Sequence, residues 1–145
     1  DKTQNGIADQ LASLFQLKNI QKISDFVRIG EFDIPKQLDQ VVYDIKKVLK
    51  AENIRLINPN QITKITKIAV CPGSGGDFIE NLTDVDLYIT SDIRYHLALD
   101  INNIIVADAG HYETERIILP VIKDLLKDVN VEIFIASELP PWQTI

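Results

Sequence analysis

The chain has 145 residues, of which 46% are hydrophobic and 25% are charged, a balance typical of a single globular domain with a sizeable core. Its formal net charge is −6 and no basic stripe stands out, so the sequence shows no nucleic-acid footprint. No apolar run reaches the roughly 18–20 residues that a membrane-spanning helix needs, which excludes that class of protein.

The first half of the chain predicts two helices and two strands. Residues 7–17 carry apolar side chains at helical spacing, and residues 21–30 alternate before a glycine, as a strand does. Residues 35–53 predict a second helix that begins at Pro35 and has one apolar stripe. Residues 54–58 predict a short strand that Asn-Pro ends.

The second half alternates strands and helices more regularly. Strands are predicted at residues 65–70, 85–90, 103–109 and 131–137. Helices are predicted at residues 77–82, 93–100 and 111–129, with a kink at Pro120. This alternation predicts an α/β fold with a mixed, largely parallel sheet flanked by helices. We expect one domain over residues 1–145, with a soft internal boundary near residues 58–64.

Two residue counts bear on the setting of the chain. Its single cysteine, Cys71, excludes an internal disulfide and fits a reducing compartment, so we expect a cytoplasmic protein. The sequence contains no methionine, even at position 1, and we therefore expect a fragment, a processed product or a trimmed form of a longer chain.

Polar residues follow three of the predicted strands. The loops at residues 71–76, 91–92 and 108–111 each come directly after a strand. Because the loops after parallel strands share one edge of the sheet, where ligands usually bind, we expect these residues to meet at one rim.

His111 and Glu115 are the first candidate ligands at this rim. Residues four apart lie on one helical face, so both side chains would reach a single metal ion. The positive end of the helix disfavours a protonated imidazole, which predicts a neutral His111 suited to metal binding. The alternative is a histidine hydrogen-bonded to the preceding loop, with Glu115 on a solvated face.

The glycine-rich loop contains Gly73, Ser74, Gly75 and Gly76. Glycines let the backbone approach a ligand, and a following helix N-terminus favours anions. The loop is not a P-loop, because no Lys-Ser/Thr pair follows it. A plain tight turn is the alternative interpretation.

Asp92 and His96 are one helical turn apart after the preceding strand. Asp92 would cap a helix that begins near Ile93, and both side chains would face the rim. The alternative is a cap followed by a partly buried histidine. Asp108 has a similar alternative role as a loop carboxylate that binds backbone amides.

Three ordered motifs together resemble one family. "IAVCPGSGGDFI" is similar to a strand and glycine loop, "DLYITSDIRYHLALD" to a Thr-Gly-Asp-x-x-x-x-His segment, and "VADAGHYETE" to an Asp-x-Gly-His-x-x-x-Glu segment. These are motifs of the Nif-three-like dinuclear metal-centre proteins, often named type 2 GTP cyclohydrolase I. The resemblance covers most of the chain, with Pro72 and Ser91 in place of family glycines.

The resemblance implies a metal site. His111 and Glu115 match family ligands, and "DKTQNGIADQLA" resembles a segment whose leading aspartate, here Asp1, bridges two metals. The family supplies further ligands from an upstream His-His-Pro motif. This chain has no adjacent histidines, so the resemblance leads us to expect that it lacks about the first third of the family's length.

The resemblance also implies a function. Two divalent ions, with zinc, iron, manganese and magnesium all open, would activate a water for hydrolysis. Asp92 and His96 would act as catalytic residues, and Gly73, Ser74, Gly75 and Gly76 would bind a nucleotide-like or phosphate-bearing small molecule. Family members form hexamers, so we expect a homo-oligomer. The alternatives are a non-catalytic metal-binding or protein-interaction module, and a plain α/β domain whose rim residues are caps and turns.

Overall fold

The structure, a computed structural model, describes residues 3–141. Within this part of the chain the strands are β1 (Lys18–Lys22), β2 (Arg28–Gln37), β3 (Arg55–Ile57), β4 (Lys64–Ser74), β5 (Leu87–Ser91) and β6 (Ile105–Asp108). The helices are α1 (Ile7–Leu14), α2 (Leu38–Leu49), a 3₁₀ helix (Gly76–Asn81), α3 (Tyr95–Asp100), α4 (His111–Glu115) and α5 (Ile118–Leu125). Among these described residues, none of the helices has the length and apolar character to cross a membrane.

The strands form one mixed sheet in the order β1-β2-β4-β5-β6-β3. β4 pairs with β5 and β5 with β6 in parallel, whereas β1 with β2, β2 with β4, and β6 with β3 are antiparallel. The predicted α/β fold with a mixed sheet and flanking helices is confirmed. Its parallel part is limited to three neighbouring strands, β4 to β6, and these are the strands whose loops were expected to meet.

Helices cover the two faces of this sheet unequally. On one face, α1 and α2 bury apolar side chains such as Leu11 and Ile45 against Val70 and Ile89 of the sheet. On the other face, the 3₁₀ helix and the loops around β6 cover alternate residues of the same strands. Strands buried on both faces contain consecutive apolar residues, as at 68–70 in β4 and 87–89 in β5.

Two boundaries in the first half differ from prediction. The predicted helix over 35–53 begins at Leu38, because Pro35 belongs to β2. The register between β2 and β4 shifts between Glu31 and Lys36, and such an irregularity tolerates a residue without an amide hydrogen. The predicted strand over 21–30 is a hairpin, since Ser24 Oγ accepts bonds from the amides of Phe26 and Val27 and turns the chain between β1 and β2.

The predicted helix over 111–129 is broken into α4 and α5. Pro120 lies in the first turn of α5, where its missing amide hydrogen is tolerated. A continuous helix would need that amide to bond the carbonyl of Arg116, and this carbonyl instead accepts the amide of Leu119 at 3.1 Å. The break at residues 116–117 is therefore the kink predicted from Pro120, placed one turn earlier.

The predicted strand over 131–137 is wrong in the described part of the chain. These residues form neither helix nor strand there. The physical reason is that they pair with no described strand: the sheet ends at β1 and β3, and no cross-strand backbone hydrogen bonds from residues 132–137 reach another described residue.

Candidate functional site

Side chains from three strand ends meet at one rim of the sheet. Gly73 lies near the end of β4, Asp92 directly follows β5, and His111 begins α4 shortly after β6 ends. The parallel order of β4, β5 and β6 is what brings them together. The expected meeting of these three loops is confirmed in the structure.

His111 is at the centre of the rim and faces a carboxylate on each side. Its Nδ1 atom lies 2.5 Å from Asp92 Oδ2, and its Nε2 atom lies 3.3 Å from Glu115 Oε1. The side chains of all three residues are partly exposed to solvent. The predicted pairing of His111 with Glu115 across one turn of helix is thus present, and Asp92 is an additional partner.

Gly73 allows α4 to approach the end of β4. Its φ of +64° is in the left-handed region, and a Cβ atom there would lie 2.6 Å from Glu115 Oε1 and 3.2 Å from His111 Nε2. The backbone of β4 therefore forms one wall of the space that holds the imidazole and the carboxylate. Any side chain at this position would push both groups away.

The pKa of His111 shifts in the direction opposite to the sequence-based expectation. The hydrogen bond to Asp92 raises the pKa of the imidazole, burial lowers it in part, and the charge of Glu115 raises it further. The helix end that was expected to keep the ring neutral belongs to a helix of only five residues. Two carboxylates at contact distance outweigh that partial charge, because helix-end effects are worth at most a few tenths to about 1 kcal/mol at exposed positions.

The distance between His111 Nε2 and Glu115 Oε1 suits two donors that share one cation. In the neutral tautomer that donates its Nδ1 hydrogen to Asp92, the Nε2 lone pair would face Glu115 Oε1, which lies 3.3 Å away. Two acceptors at this distance repel unless a proton or a cation lies between them. Donors about 2.1 Å from one ion in tetrahedral geometry are roughly 3.4 Å apart, close to the spacing observed.

The structure tests the predicted metal ligands only in part. No group of three or more His, Cys, Asp or Glu side chains arranged to hold a metal ion is found within residues 3–141. Asp1, the predicted bridging ligand, lies outside the described residues. His111 and Glu115 are thus the two candidate donors that the structure brings together, and their roles stay predictions.

Asp92 does not cap a helix, contrary to the interpretation from sequence. It adopts a φ of +56°, and α3 begins only at Tyr95, with no side-chain cap bond. The amide of Ile93 instead donates to Asp108 Oδ2 at 3.0 Å. Asp108 is therefore the loop carboxylate that was expected to bind backbone amides, and its position leaves Asp92 available to His111.

His96 lies apart from this cluster. It is exposed in the first turn of α3, and its ring meets the edge of Tyr95 at a centroid distance of 5.7 Å. Within residues 3–141, neither a hydrogen bond nor an ion pair joins it to Asp92 or His111. Asp92 and His96 were expected to face the rim together, but the described residues show no contact between them. A catalytic role for His96 stays a prediction.

The glycine-rich segment is packed more tightly than a ligand-binding loop requires. β4 continues through Ser74, and Gly73 and Gly75 are buried. Thr90 Oγ1 donates to Gly73 O at 3.1 Å, and Tyr88 OH donates to Gly75 O at 3.0 Å. A Cβ atom on Gly75 would collide with both hydroxyls. Close packing thus explains these two glycines.

Within the glycine-rich segment, only Ser74 and Gly76 keep surface exposed to solvent. Ser74 is exposed and Gly76 is half-buried, so a ligand would reach the loop through these two residues. Binding by Gly73, Ser74, Gly75 and Gly76 as a set stays a prediction.

Thr114 is a site residue that sequence reasoning missed. It is fully buried, its Oγ1 accepts the amide of Gly73 at 3.0 Å, and the same hydroxyl lies 2.9 Å from Gly110 O as a donor. It thereby fastens α4 to β4 beneath His111. No sequence signal singled it out, because its role depends on contact between α4 and β4, which the spacing of residues in α4 does not predict.

Cys71, Tyr88 and Ser91 are further polar residues beneath the rim. Burial raises the pKa of the Cys71 thiol, so this cysteine is not an activated nucleophile. Burial also raises the pKa of Tyr88, which stays a neutral donor. Ser91 Oγ is buried without a hydrogen-bond partner among the described residues.

Comparisons with known proteins agree on one group. The sequence model of the family described as Duf34/NIF3 (NGG1p interacting factor 3) matches residues 1–141. The chain is 29% identical to the GTP cyclohydrolase 1 type 2 homolog of Lactococcus lactis, over 95% of this chain and 57% of that protein. It is 31% identical to NGG1-interacting factor 3 of Saccharomyces cerevisiae, over 89% of this chain and 49% of that protein.

The fold comparison gives the same result. The crystal structure of Staphylococcus aureus hypothetical protein SA1388 matches with a TM-score of 0.80 at 22% identity, over 97% of this chain and 64% of that chain. At this identity the match shows the fold alone. The chain spans about half the length of the curated relatives it matches.

Proposed function

The chain belongs to the Duf34/NIF3 family, and from this premise we propose that it contributes a divalent-metal site to a metal-dependent hydrolase. One observation carries the proposal: His111 Nε2 and Glu115 Oε1 face each other at 3.3 Å, while Asp92 holds the opposite ring nitrogen. A carboxylate on the far nitrogen of a ligating histidine is the usual way to fix its tautomer and orientation.

Each residue at this site has a separate proposed role. His111 and Glu115 would hold the ion, and Asp1 would bridge it to a second ion. Asp92 orients the imidazole, and Gly73 leaves the space that both ligands occupy. When bound, a divalent ion would supply Lewis acidity and lower the pKa of a coordinated water.

The substrate proposal rests on family resemblance and on the rim. We propose a nucleotide-like or phosphate-bearing small molecule, entering beside Ser74 and Gly76, which keep exposed surface at the end of β4. His96 would act from α3 on the bound molecule. The metal is zinc, iron, manganese or magnesium, since mixed histidine and carboxylate sets serve all four. The expected setting is a homohexamer in the cytoplasm.

Metal content tests the proposal directly. The full chain, purified without chelator, should carry divalent metal, and the Glu115→Gln variant should lose it. Glu113→Gln is the matched control, because Glu113 is on the same helix and takes no part in the pair with His111. Equal metal content in both variants would contradict the site. Hydrolysis of a panel of nucleotides with added Mn²⁺ or Zn²⁺, reduced in Glu115→Gln alone, would then support catalysis.

A non-catalytic module is the second candidate function. It is favoured by the finding that residues 3–141 contain only two donors positioned around one point, fewer than a catalytic cage needs. Metal uptake without any turnover of the nucleotide panel would support this candidate instead.

A further inference from the structure

Arg55 brings a fourth strand to the rim. It begins β3, and because β3 runs antiparallel to β6, Arg55 is paired in register with Asp108 at the end of β6. Its Nη2 donates to Asp108 Oδ2 and, at 3.3 Å, to the backbone carbonyl of Ile93. Ile93 directly follows Asp92 in the chain, and Asp108 closely precedes His111. The guanidinium thus links the loops after β5 and β6, which also carry the imidazole and its carboxylate partner.

This arginine is held on one side and open to solvent on the other. Asp108 is buried, and it also accepts the amides of Ile93 at 3.0 Å and Gly110 at 3.4 Å, so its position is fixed. The side chain of Arg55 is nevertheless 71% exposed. Within residues 3–141, neither its Nε nor its Nη1 donates a hydrogen bond. The buried carboxylate therefore fixes the positive charge at the rim, and the donors on Nε and Nη1 are left for a ligand.

Arg94 offers a comparison, because it is another exposed arginine that pairs with an aspartate. Its partner Asp77 is 3.4 Å away, and both side chains are largely exposed. Such exposed pairs contribute little and do not hold a long side chain in one geometry. An arginine that is already fixed loses less conformational freedom when it binds an anion. Arg55 is therefore the better suited of the two to bind an anionic ligand.

We propose that Arg55 binds the phosphate group of the substrate, an inference that rests on the hydrolase function proposed above. Arginine suits this role because its planar, permanently charged group forms charge-assisted hydrogen bonds to phosphate oxygens. Asp92 and Glu115 make the rim around His111 acidic. An anionic molecule that approaches this rim therefore needs a fixed positive charge in addition to a metal ion.

The order of the strands determines how such a molecule would lie. β5 and β6 separate β4 from β3, so three strand spacings put the end of β4 roughly 14 Å from Arg55. A molecule with its phosphate at Arg55 would extend along the strand ends toward Ser74 and Gly76, the exposed residues of the glycine-rich segment. The substrate is then an organic phosphate with an extended body, and inorganic phosphate alone would bind more weakly.

Calorimetric titration of the full chain with GMP, guanosine and inorganic phosphate tests the assignment. Arg55→Met removes the charge and keeps an unbranched side chain, so it should weaken GMP binding by about tenfold or more and leave guanosine binding unchanged. Lys64→Met is the matched control, because Lys64 is an exposed cation at the opposite end of β4. It should leave both affinities unchanged. An equal loss for GMP and guanosine, or the same loss in Lys64→Met, would overturn the assignment.

A second variant shows that a loss of GMP binding is not a loss of folding. Arg55→Lys keeps the charge and should recover part of the GMP affinity that Arg55→Met loses. The circular dichroism of both variants should match that of the unmodified chain, because Asp108 keeps its two backbone donors. GMP affinity that is equally low in both variants while the fold is unchanged would show that the geometry of the guanidinium, and not its charge alone, is required, and would support the assignment further.

Metal content separates this inference from the proposed function. Arg55→Met should keep the metal that Glu115→Gln loses, since it removes neither donor. GMP binding that depends on Arg55 in a chain that takes up no metal would contradict the metal-dependent function and leave the phosphate site supported. Metal uptake with equal GMP affinity in the unmodified chain and Arg55→Met would overturn the phosphate site and leave the metal centre supported. Failure of the metal-loaded chain to bind GMP would overturn the phosphate site as well.

Discussion

The two histidines of the chain have the same sequence signal and opposite structural fates. Asp92 and His96 are four residues apart, and so are His111 and Glu115. In the structure the second pair is in contact within α4, whereas Asp92 turns away from His96 and contacts His111. Four-residue spacing therefore brings two side chains together only when both residues are inside one helix.

The backbone at Asp92 explains the difference. Its left-handed φ of +56° places it in a turn before α3, so its side chain follows the rim of the sheet and not the helix. Asp108 takes the amide of Ile93, which frees Asp92 from a capping role. The lesson is that the sheet order selects the partner of a rim carboxylate, and the nearest histidine in sequence is not that partner.

The largest predicted effect separates the two histidines. His111→Ala should lose the metal of the wild-type chain altogether, because it removes one of two described donors and the partner of Asp92. His96→Ala should retain the metal, since the ring of His96 packs against Tyr95 and makes no hydrogen bond to Asp92 or His111 within the described residues. Elemental analysis of the two variants measures the metal content. Loss of metal in both variants would contradict the prediction that His111 binds the metal and His96 does not.

The next effect concerns the space around the His111 pair. Gly73→Ala should weaken metal binding by at least about tenfold, because the new Cβ would collide with Glu115 and strain a left-handed backbone by about 1–2 kcal/mol. Gly76→Ala is the matched control: its Cβ would meet the flexible end of Leu97 at 2.8 Å. Metal titration by calorimetry distinguishes the two, and equal affinities would contradict the role assigned to Gly73.

Asp92→Asn should have an effect of similar size on the same site. Changing the hydrogen-bond partner of a ligating histidine typically costs 10–100-fold in metal affinity. The variant should also move the pKa of His111 downward, because the bond to Asp92 is the main cause of its elevation. Calorimetry gives the affinity, and an unchanged value would show that His111 is oriented by something else.

The smallest predicted effect is at an ion pair away from the rim. Arg28 is buried and its Nε donates to Asp9, which lowers the pKa of that carboxyl below its usual value of 3.8. The ionised pair therefore stabilises the fold above that value, and the contribution is lost as the pH falls through the lower folded-state pKa. Asp9→Asn should reduce the free energy of unfolding by about 1 kcal/mol at pH 7 and by less near pH 3.

Denaturant unfolding at the two pH values measures this last effect. Asp44→Asn is the control, because the pair of Asp44 with Lys36 is more exposed and should contribute less. Neither substitution should alter metal content. A pH-independent loss in Asp9→Asn would contradict the assignment of the acid-side stability to this pair.

Much of the site followed from the order of strands in the sequence. The alternation of strand and helix patterns identified β4, β5 and β6, and their shared edge predicted that Gly73, Asp92 and His111 would meet. The turn at Asp92 could not be predicted, because a left-handed aspartate is chosen by the surrounding contacts and not by local propensity. The burial of Gly75 against Tyr88 could not be predicted either, since it depends on contacts between neighbouring strands.

The incorrect parts of the fold prediction have tertiary causes as well. Pro35 predicted a helix start but lies where β2 shifts its register, a choice that only the neighbouring strand can make. Residues 131–137 are rich in the β-branched and aromatic residues that favour a strand, yet no described strand pairs with them. A pattern predicts the local conformation that a segment favours and leaves the identity of its partner undetermined.

The most direct test of the account is the ¹⁵N NMR spectrum of the two imidazoles during titration of the full chain with Zn²⁺. The account predicts that Nε2 of His111 shifts to a metal-bound position while its Nδ1 stays protonated against Asp92, and that both nitrogens of His96 stay where they were. A spectrum in which His111 is unmoved, or in which the two histidines respond alike, would contradict a metal site at His111 and Glu115.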